Sequence, residues 1–469
     1  MAGLPVAIVA DRLIDGTGRD PIEHAVLVVE EGHVSAVGSR SSVRIPDGVE
    51  IVEGDDLTIL PGFIDAHVHL ACQSGVDYNR LLMTRRSMLL LMAVPNADVT
   101  LRAGVTAVRD AGLSPSTVRD AIDASYFPGP RCQMAVSILS QSGGHADPTM
   151  PCGCALYMDC GIDVPDSVVD GPEMMRRRVR EVLAAGADWI KLCTSGGVLS
   201  PGDHPDAAQF TVDEISVAVQ EATAQGRRVM AHAMSAAGIK NALRAGVTSI
   251  EHGCLLDEEA IALMKERDAW LVPTLIAPRD VISAAGEGRS IPDAMVNKAR
   301  DISVRHMESF RAAVTAGVNI AMGTDSAVGP HGGNLRELAL MVEGGMTPLQ
   351  AITASTLEPA RLLRRAAEIG SLETGKFADA VAVQGDPLAD IAALADPDRI
   401  RLVLKGGEAA KDLVRGATVS AREPGAPPLT RVLATSPASP NRRPRWASMN
   451  PTTSSVGGRA PPRRKLRRS

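Results

Sequence analysis

Aromatic side chains are nearly missing from this chain: three Trp, three Tyr and five Phe in 469 residues, or 2%. A core must therefore be filled by Ala, Val, Leu, Ile and Met, within an apolar fraction of 45% that is ordinary for a globular protein. Long apolar runs are lacking as well. None approaches the ~18–20 residues that a membrane-crossing helix needs, so no membrane association is expected. The opening stretch, MAGLPVAIVADRLIDG, has no basic segment and meets acidic residues at once, which predicts no cleaved signal peptide. Cysteine is sparse and odd in number, seven over the whole length. That argues against a disulfide framework and points to a reducing compartment, with a cytoplasmic location as the expectation. Phosphate-cradling loops, a dinucleotide fingerprint and a nucleophilic Ser or Cys motif are also absent.

Positive charge is scarce everywhere except at the C-terminal end. Residues 421–469 hold eleven basic residues and one acidic one, a net of +10, leaving 38 basic against 54 acidic, or −16, in the other 420. An acidic body disfavours nucleic-acid binding. Residues 416–469, rich in Pro, Ser and Arg and without periodicity, read as a disordered basic tail.

What remains is organised in alternation. Short strand-like runs punctuated by Asp15-Gly16, Glu31-Gly32 and Pro46-Asp47-Gly48 fill the first 60 residues, and similar runs return near the end in ADAVAVQGD and RIRLVLKGG. Two strand-rich pieces at opposite ends most simply pair into one small β-domain, assigned to 1–60 and 366–415. Between them, at 61–365, eight apolar runs alternate with helix-like segments that end at Gly. The runs are 60–69, 104–110, 131–139, 188–195, 228–233, 249–253, 269–275 and 319–326. Eight such units over ~300 residues predict an α/β fold, a (β/α)8 TIM-like barrel.

The unusual residues sit at the ends of those runs. His67 and His69 close the first, and at i and i+2 their side chains share a face. Lys191 lies in the fourth, His232 and His252 near the ends of the fifth and sixth, and Asp325 at the end of the eighth. The C-terminal ends of barrel strands are where catalytic groups gather, so five strands deliver imidazoles, an amine and a carboxylate to one mouth. Imidazole and carboxylate suit zinc and similar divalent ions. A single strand-end histidine is more often a hydrogen-bonded structural residue, and it is the joint arrangement that points to metal. His24, His33, His204 and His306 stand outside it and receive no role. Nor do Cys152, Cys154 and Cys160, whose spacing lacks a fourth partner. Lys191 among apolar neighbours and metal ions would lose its charge. A neutral amine can add carbon dioxide to give a carbamate able to bridge two metals; the alternative is an ion pair with Asp325 or Asp110.

With LPGFIDAHVH, WIKLCTSGGVLSPGD, VMAHA, SIEHG, MGTDS and HGGNLRELALMVEGGMTP in place, the chain resembles the amidohydrolase superfamily over residues 1–415. In particular it resembles the imidazolonepropionase-like metal-dependent hydrolases, with their Xaa-Pro and Xaa-Arg dipeptidases and ochratoxinase-like enzymes. The resemblance implies a binuclear centre. One ion would be held by His67, His69 and Asp325, the other by His232 and His252, with N6-carboxylated Lys191 as the bridge. Zinc is the first expectation, with cobalt or manganese as alternatives. The resemblance also implies a β-sandwich beside the barrel, and gives His145, in SQSGGHADP, the task of donating to the substrate carbonyl. One departure stands out: where the family often has an aromatic or polar residue two places after the fifth-strand histidine, this chain has Met234, whose thioether cannot donate.

Such a site predicts hydrolysis of a C–N (amide) bond in a small molecule, such as an N-acyl or peptidyl amino acid or an aryl amide. Paired metals would acidify a water and Asp325 would take its proton. Carbamate, thiocarbamate or phenylurea hydrolysis would use the same chemistry. Deamination is disfavoured, because Ser235 stands where deaminases carry Glu. A catalytically inactive scaffold would have little need to keep all six candidate ligands. The expected partners are a small-molecule substrate, neutral or singly charged with one apolar arm, and further copies of the chain in a homo-oligomer. Deleting residues 421–469 should move the melting temperature by no more than a few degrees, since a disordered tail buries little; a thermal melt of the two forms checks this.

Overall fold

Runs of alternating and β-branched residues build residues 6–61 into β1 (Val6–Leu13), β2 (Ile22–Glu30), β3 (His33–Ser39), β4 (Glu50–Glu53) and β5 (Leu57–Pro61). The structure, a computed structural model, describes residues 5–415; the basic tail expected at 416–469 lies outside them. The middle of the chain supplies β6 (Phe63–Val68), β7 (Val105–Asp110), β8 (Arg131–Met134), β9 (Ile138–Leu139), β10 (Trp189–Cys193), β11 (Arg228–Ala233), β12 (Ser249–His252), β13 (Trp270–Val272) and β14 (Asn319–Ile320). The last three strands are β15 (Ala380–Gln384), β16 (Ile400–Lys405) and β17 (Glu408–Asp412).

Strands from the two ends do pair. They form one eight-stranded sheet in the order β17-β16-β15-β5-β1-β2-β3, with β4 also on β1. The junction is antiparallel, with Ala382 of β15 opposite Ile59 of β5. Both faces of β1 and β2 are covered, which is why their apolar runs do not simply alternate with polar residues. Ile8 and Leu27 pack with Ile59 and Leu402, while Val9 and Val26 face Val43, Ile45 and Val49.

The middle strands are all parallel and fall into two sheets, β14-β13-β12-β11-β10-β9 and β6-β7-β8. Backbone hydrogen bonds cross both gaps between them. Asp325 N–H donates to the His67 carbonyl at 2.8 Å and Ala66 N–H to that of Met322 at 2.9 Å, while Asp188 N–H reaches Met134 at 2.7 Å. Helices Pro172–Ala184, Val212–Ala224 and Ala236–Ala245 follow the alternation expected between strands. Thr211 and Glu214 close a capping box at the start of the second, and the Ser235 hydroxyl accepts from Gly238 N–H at the start of the third. No helix among the described residues is long and apolar enough to cross a membrane.

Three expected strands come out differently. The first run, 60–69, divides at Gly62: Leu60 and Pro61 pair with β15 in the terminal sheet, and only Phe63–Val68 joins the parallel one. The third divides into β8 and β9 around Val136, whose φ of 65° breaks the extended backbone and transfers the chain from one sheet to the other. The eighth shortens to two residues, Asn319–Ile320, and Asp325 lies beyond it at φ 59°.

Gly62 lets the chain cross between sheets against β7. A Cβ there would lie 2.1 Å from Thr106 Oγ1 and 2.8 Å from Thr106 Cβ. Gly62→Ala should therefore cost about 1–3 kcal/mol of stability, the usual range for overpacking. Adding Thr106→Ala should recover part of that loss in denaturant titrations.

Candidate metal centre

Beneath the strand ends lies a buried ion pair. Arg109 of β7 and Glu251 of β12 are fully buried, and the guanidinium Nη2 reaches both carboxylate oxygens at 2.8 and 2.9 Å. Arg109 also donates to Ser249 Oγ (3.0 Å) and to the Ala66 carbonyl (2.7 Å), and lies 4.7 Å over the Trp189 ring. Burial opposes the charge on Glu251, but Arg109 and His67 outweigh it and hold the carboxyl down at about 2.

Glu251 then orients the first imidazole. A carboxylate only accepts, so His67 Nδ1 carries the proton of their 2.8 Å bond. The Gly112 carbonyl fixes His69 in the same way, Nδ1 at 2.9 Å, and the Gly196 carbonyl holds Nε2 of His232 at 3.1 Å. His252 Nδ1 bonds Thr274 Oγ1 at 2.7 Å. Each ring thus spends one nitrogen on the protein and keeps the other. His67 and His69 turn Nε2 towards Asp325 Oδ1, at 3.4 and 3.0 Å. A protonated His69 can donate from Nε2 to this carboxylate, whereas neutral rings present lone pairs there that suit a cation held between the three groups. Ligand atoms of His67, His69 and Asp325 all lie within 4.8 Å of one another, which fits ligands sharing one ion at about 2.0–2.2 Å. The donor set fits a divalent metal.

Burial works against charge on His69, but Asp325 and Asp110 outweigh it and raise that ring above its ordinary value, while the other three rings are lowered. Burial and Lys191 push His67 down to about 4, and burial takes His232 and His252 well below the usual histidine range. Burial works against the Asp325 carboxylate, but His67 and His69 outweigh it and keep the carboxyl well below its ordinary value. Lys191 is 2% exposed and its amine is held down, first by burial. Its Nζ lies 3.4 Å from His67 Nε2, and among the described residues it has no ion pair within 4 Å. Asp110, one partner considered for it, is instead occupied by Leu70 N–H, Gly112 N–H and the Ser114 hydroxyl.

Two adjoining cavities of ≈ 50 and ≈ 130 Å³ share His145, His232, His252 and Asp325. The six residues anticipated as ligands and His145 therefore converge. Met234 lies on the wall of the smaller cavity. His145 stacks on His232, ring centroids 4.1 Å apart, with Nδ1 2.8 Å from Ser200 Oγ. The larger cavity has a largely apolar wall, because Val76, Tyr78, Leu81 and Met158 reach into it. These come from segments that show no strand or helix–glycine signal. Arg109, Glu251 and Asp65 were missed as well. Asp65 accepts from Thr324 and Asn334 and fastens the Asp325 turn to β6. The available signal was charge inside otherwise apolar strands: FIDAHV and SIEH each hide one charged residue, and VTAVRD hides two. His306 received no role from sequence, yet it lines the smaller cavity, its Nε2 donating to the His252 carbonyl at 2.9 Å.

The amidohydrolase family matches residues 58–410. Ochratoxinase of Aspergillus niger is 34% identical over 422 residues, covering 86% of this chain and 85% of its own. Among solved structures, a Xaa-Pro dipeptidase with methionine bound in its active site aligns with a TM-score of 0.78 at 35% identity, covering 86% of this chain and 99% of that one. A prolidase complexed with N-methylphosphonate-L-proline aligns with a TM-score of 0.80 at 32% identity, covering 87% and 100%.

Glu251→Gln should lower stability by about 3–5 kcal/mol, because it strands the Arg109 charge in the interior. It should also weaken metal retention by roughly 10–100-fold through the loosened His67 ring. Denaturant titration of the metal-free protein and chelator competition separate the two effects.

Proposed function

Because the chain belongs to the amidohydrolase family and is a hydrolase acting on carbon–nitrogen bonds, we propose that it cleaves an amide bond of a small molecule at a centre of two divalent ions. Zinc is the first choice, with cobalt or manganese as alternatives. His67, His69 and Asp325 would hold one ion, His232 and His252 the other, and carboxylated Lys191 would bridge them. The observation that carries this reading is the set of six side chains lining one cavity, with ring nitrogens left free beside a carboxylate. The two parallel sheets are then the arcs of one (β/α)8 barrel, and the terminal sheet is its flanking domain.

Bound there, the ions would acidify a water and polarise the scissile carbonyl. Lys191 joins the site by its chemistry as a neutral amine: its lone pair bonds the carbon of carbon dioxide and a proton leaves, giving an anionic carbamate. Asp325 is ionised, so one carboxylate oxygen can take the proton of the attacking water and return it to the leaving nitrogen. His145, on the cavity wall beside His232, meets the scissile group through Nε2. The apolar wall of Val76, Leu81 and Met158 takes the apolar arm. The relatives' names, ochratoxinase and Xaa-Pro dipeptidase, support an amide or peptide-like substrate.

The test is metal analysis of the gently purified protein together with a screen of N-acyl amino acids, dipeptides, aryl amides and arylureas. About two divalent ions per chain and turnover of at least one amide are expected. Asp325→Asn should lose at least about a thousandfold in kcat. Lys191→Ala should lose one or both ions, with short carboxylic acids restoring part of the rate. A Lys191→Ala variant with full metal and full rate would overturn the bridging role, and a wild-type protein without divalent ions would overturn the centre itself.

A further inference from the structure

The loop after β10, residues 195–204, is bound up with His145 in a way that metal binding does not require. Gly197 leaves room for the imidazole: a Cβ there would lie 2.2 Å from His145 Cε1. Ser200 Oγ meets Nδ1 of the ring, and the Gln209 side-chain oxygen accepts the His145 backbone N–H at 3.0 Å. Behind Ser200 sits the buried Asp203 carboxylate. It accepts from the Ser200 hydroxyl, from Gly197 N–H (3.2 Å), from Gln209 Nε2 (3.1 Å) and from Lys298 Nζ (3.3 Å). Lys298 comes from the helix Asp293–Ala316 and also donates to the carbonyls of Ser200 and Asp203, at 2.8 and 2.5 Å.

The direction of each proton follows. Asp203 beside an ammonium group is an acceptor only. The single hydroxyl proton of Ser200 is therefore spent on Asp203, and Ser200 Oγ must accept from His145. Nδ1 carries the ring proton. Nε2, which makes no hydrogen bond among the described residues, is the nitrogen left for the cavity. A neutral ring held this way accepts at Nε2, the opposite polarity to the donation expected of it from the resemblance. It donates from Nε2 only after gaining a second proton, with Asp203 Oδ2 3.7 Å from Nδ1 to offset that charge.

We propose that Ser200, Asp203 and Lys298 are positioning residues for the reaction, a relay that fixes the orientation and tautomer of His145 so that Nε2 meets the substrate. This rests on the reading of His145 as a residue that touches the scissile group. Removing a link should let the ring turn or exchange tautomers while the metal ligands stay in place.

The experiment is a double-mutant cycle in the full-length, metal-loaded enzyme with the amide turned over fastest in the screen, alongside nitrogen-15 spectra of the histidine rings. Ser200→Ala should lower kcat roughly tenfold to a hundredfold, the scale of misplacing a reacting group, with KM and metal content nearly unchanged. Ser200→Thr should recover most of the rate. In a His145→Ala background the same Ser200→Ala change should cost less than about twofold, because its effect passes through the ring. The spectra should show His145 as a single Nδ1–H tautomer in the wild type and a mixture in Ser200→Ala. If that variant does not fold, Lys298→Met replaces it in the same cycle. Equal losses in both backgrounds, or an unaltered tautomer, overturn the relay and leave the reading of His145 standing. A His145→Ala enzyme with full rate overturns that reading, and the relay with it.

Discussion

The contact on which the site depends is the Arg109–Glu251 pair. Burying two opposite charges is costly unless every hydrogen-bonding position is used. Here Nη2 spans both carboxylate oxygens, Nη1 meets Ser249 and Nε meets the Ala66 carbonyl, so one guanidinium ties β6, β7 and β12 together. A planar, forked cation reaches these four acceptors from three nitrogens, whereas a lysine ammonium would have only three protons on one nitrogen to offer them. The same carboxylate then fixes His67, so a structural tie becomes an instruction to a ring nitrogen.

Above that floor, orientation comes from groups that can only accept. A carboxylate for His67 and backbone carbonyls for His69 and His232 each require a proton on one stated nitrogen, and so expose a lone pair on the other. The backbone is strained where the remaining groups enter. His252 stands at φ 72° and Asp325 at φ 59°, conformations that non-glycine residues adopt at a cost and keep only where packing over-determines them. At Asp325 the determination is visible: its N–H is held by the His67 carbonyl, and the neighbouring Thr324 is fastened to Asp65.

The polar and apolar parts of the site come from different parts of the chain. Strand ends carry the charged and imidazole groups, where rigid neighbours fix their separations. The apolar wall comes instead from the segment after β6 and the loop after β9, joined where the Cys72 thiol approaches the Met158 carbonyl at 3.6 Å. Loops of this kind can vary without disturbing the ligands beneath. That is consistent with relatives bearing names as different as ochratoxinase and Xaa-Pro dipeptidase.

The sequence by itself determined which residue types reach the mouth. A period-2 strand ending in His67 and His69, Lys191 set between Ile190 and Leu192, and histidines and an aspartate at later strand ends are local patterns, legible because side-chain direction in a strand is set by the backbone alone. The pairing of the two chain ends was legible for a similar reason, since strand-rich pieces need partners. What the sequence could not express is anything that depends on contact between distant segments. Arg109 and Glu251 are 142 residues apart, and neither looks exceptional without the other. Gly62 divides one apolar run between two sheets because Thr106 happens to lie beside it. The proton on His145 is placed by Ser200 and Asp203, and Asp203 in turn by a lysine 95 residues further on. Residue type is written locally, but the tautomer of a ring and the partner of a buried charge exist only once the chain has folded, because both are properties of the acceptor that tertiary structure brings within reach.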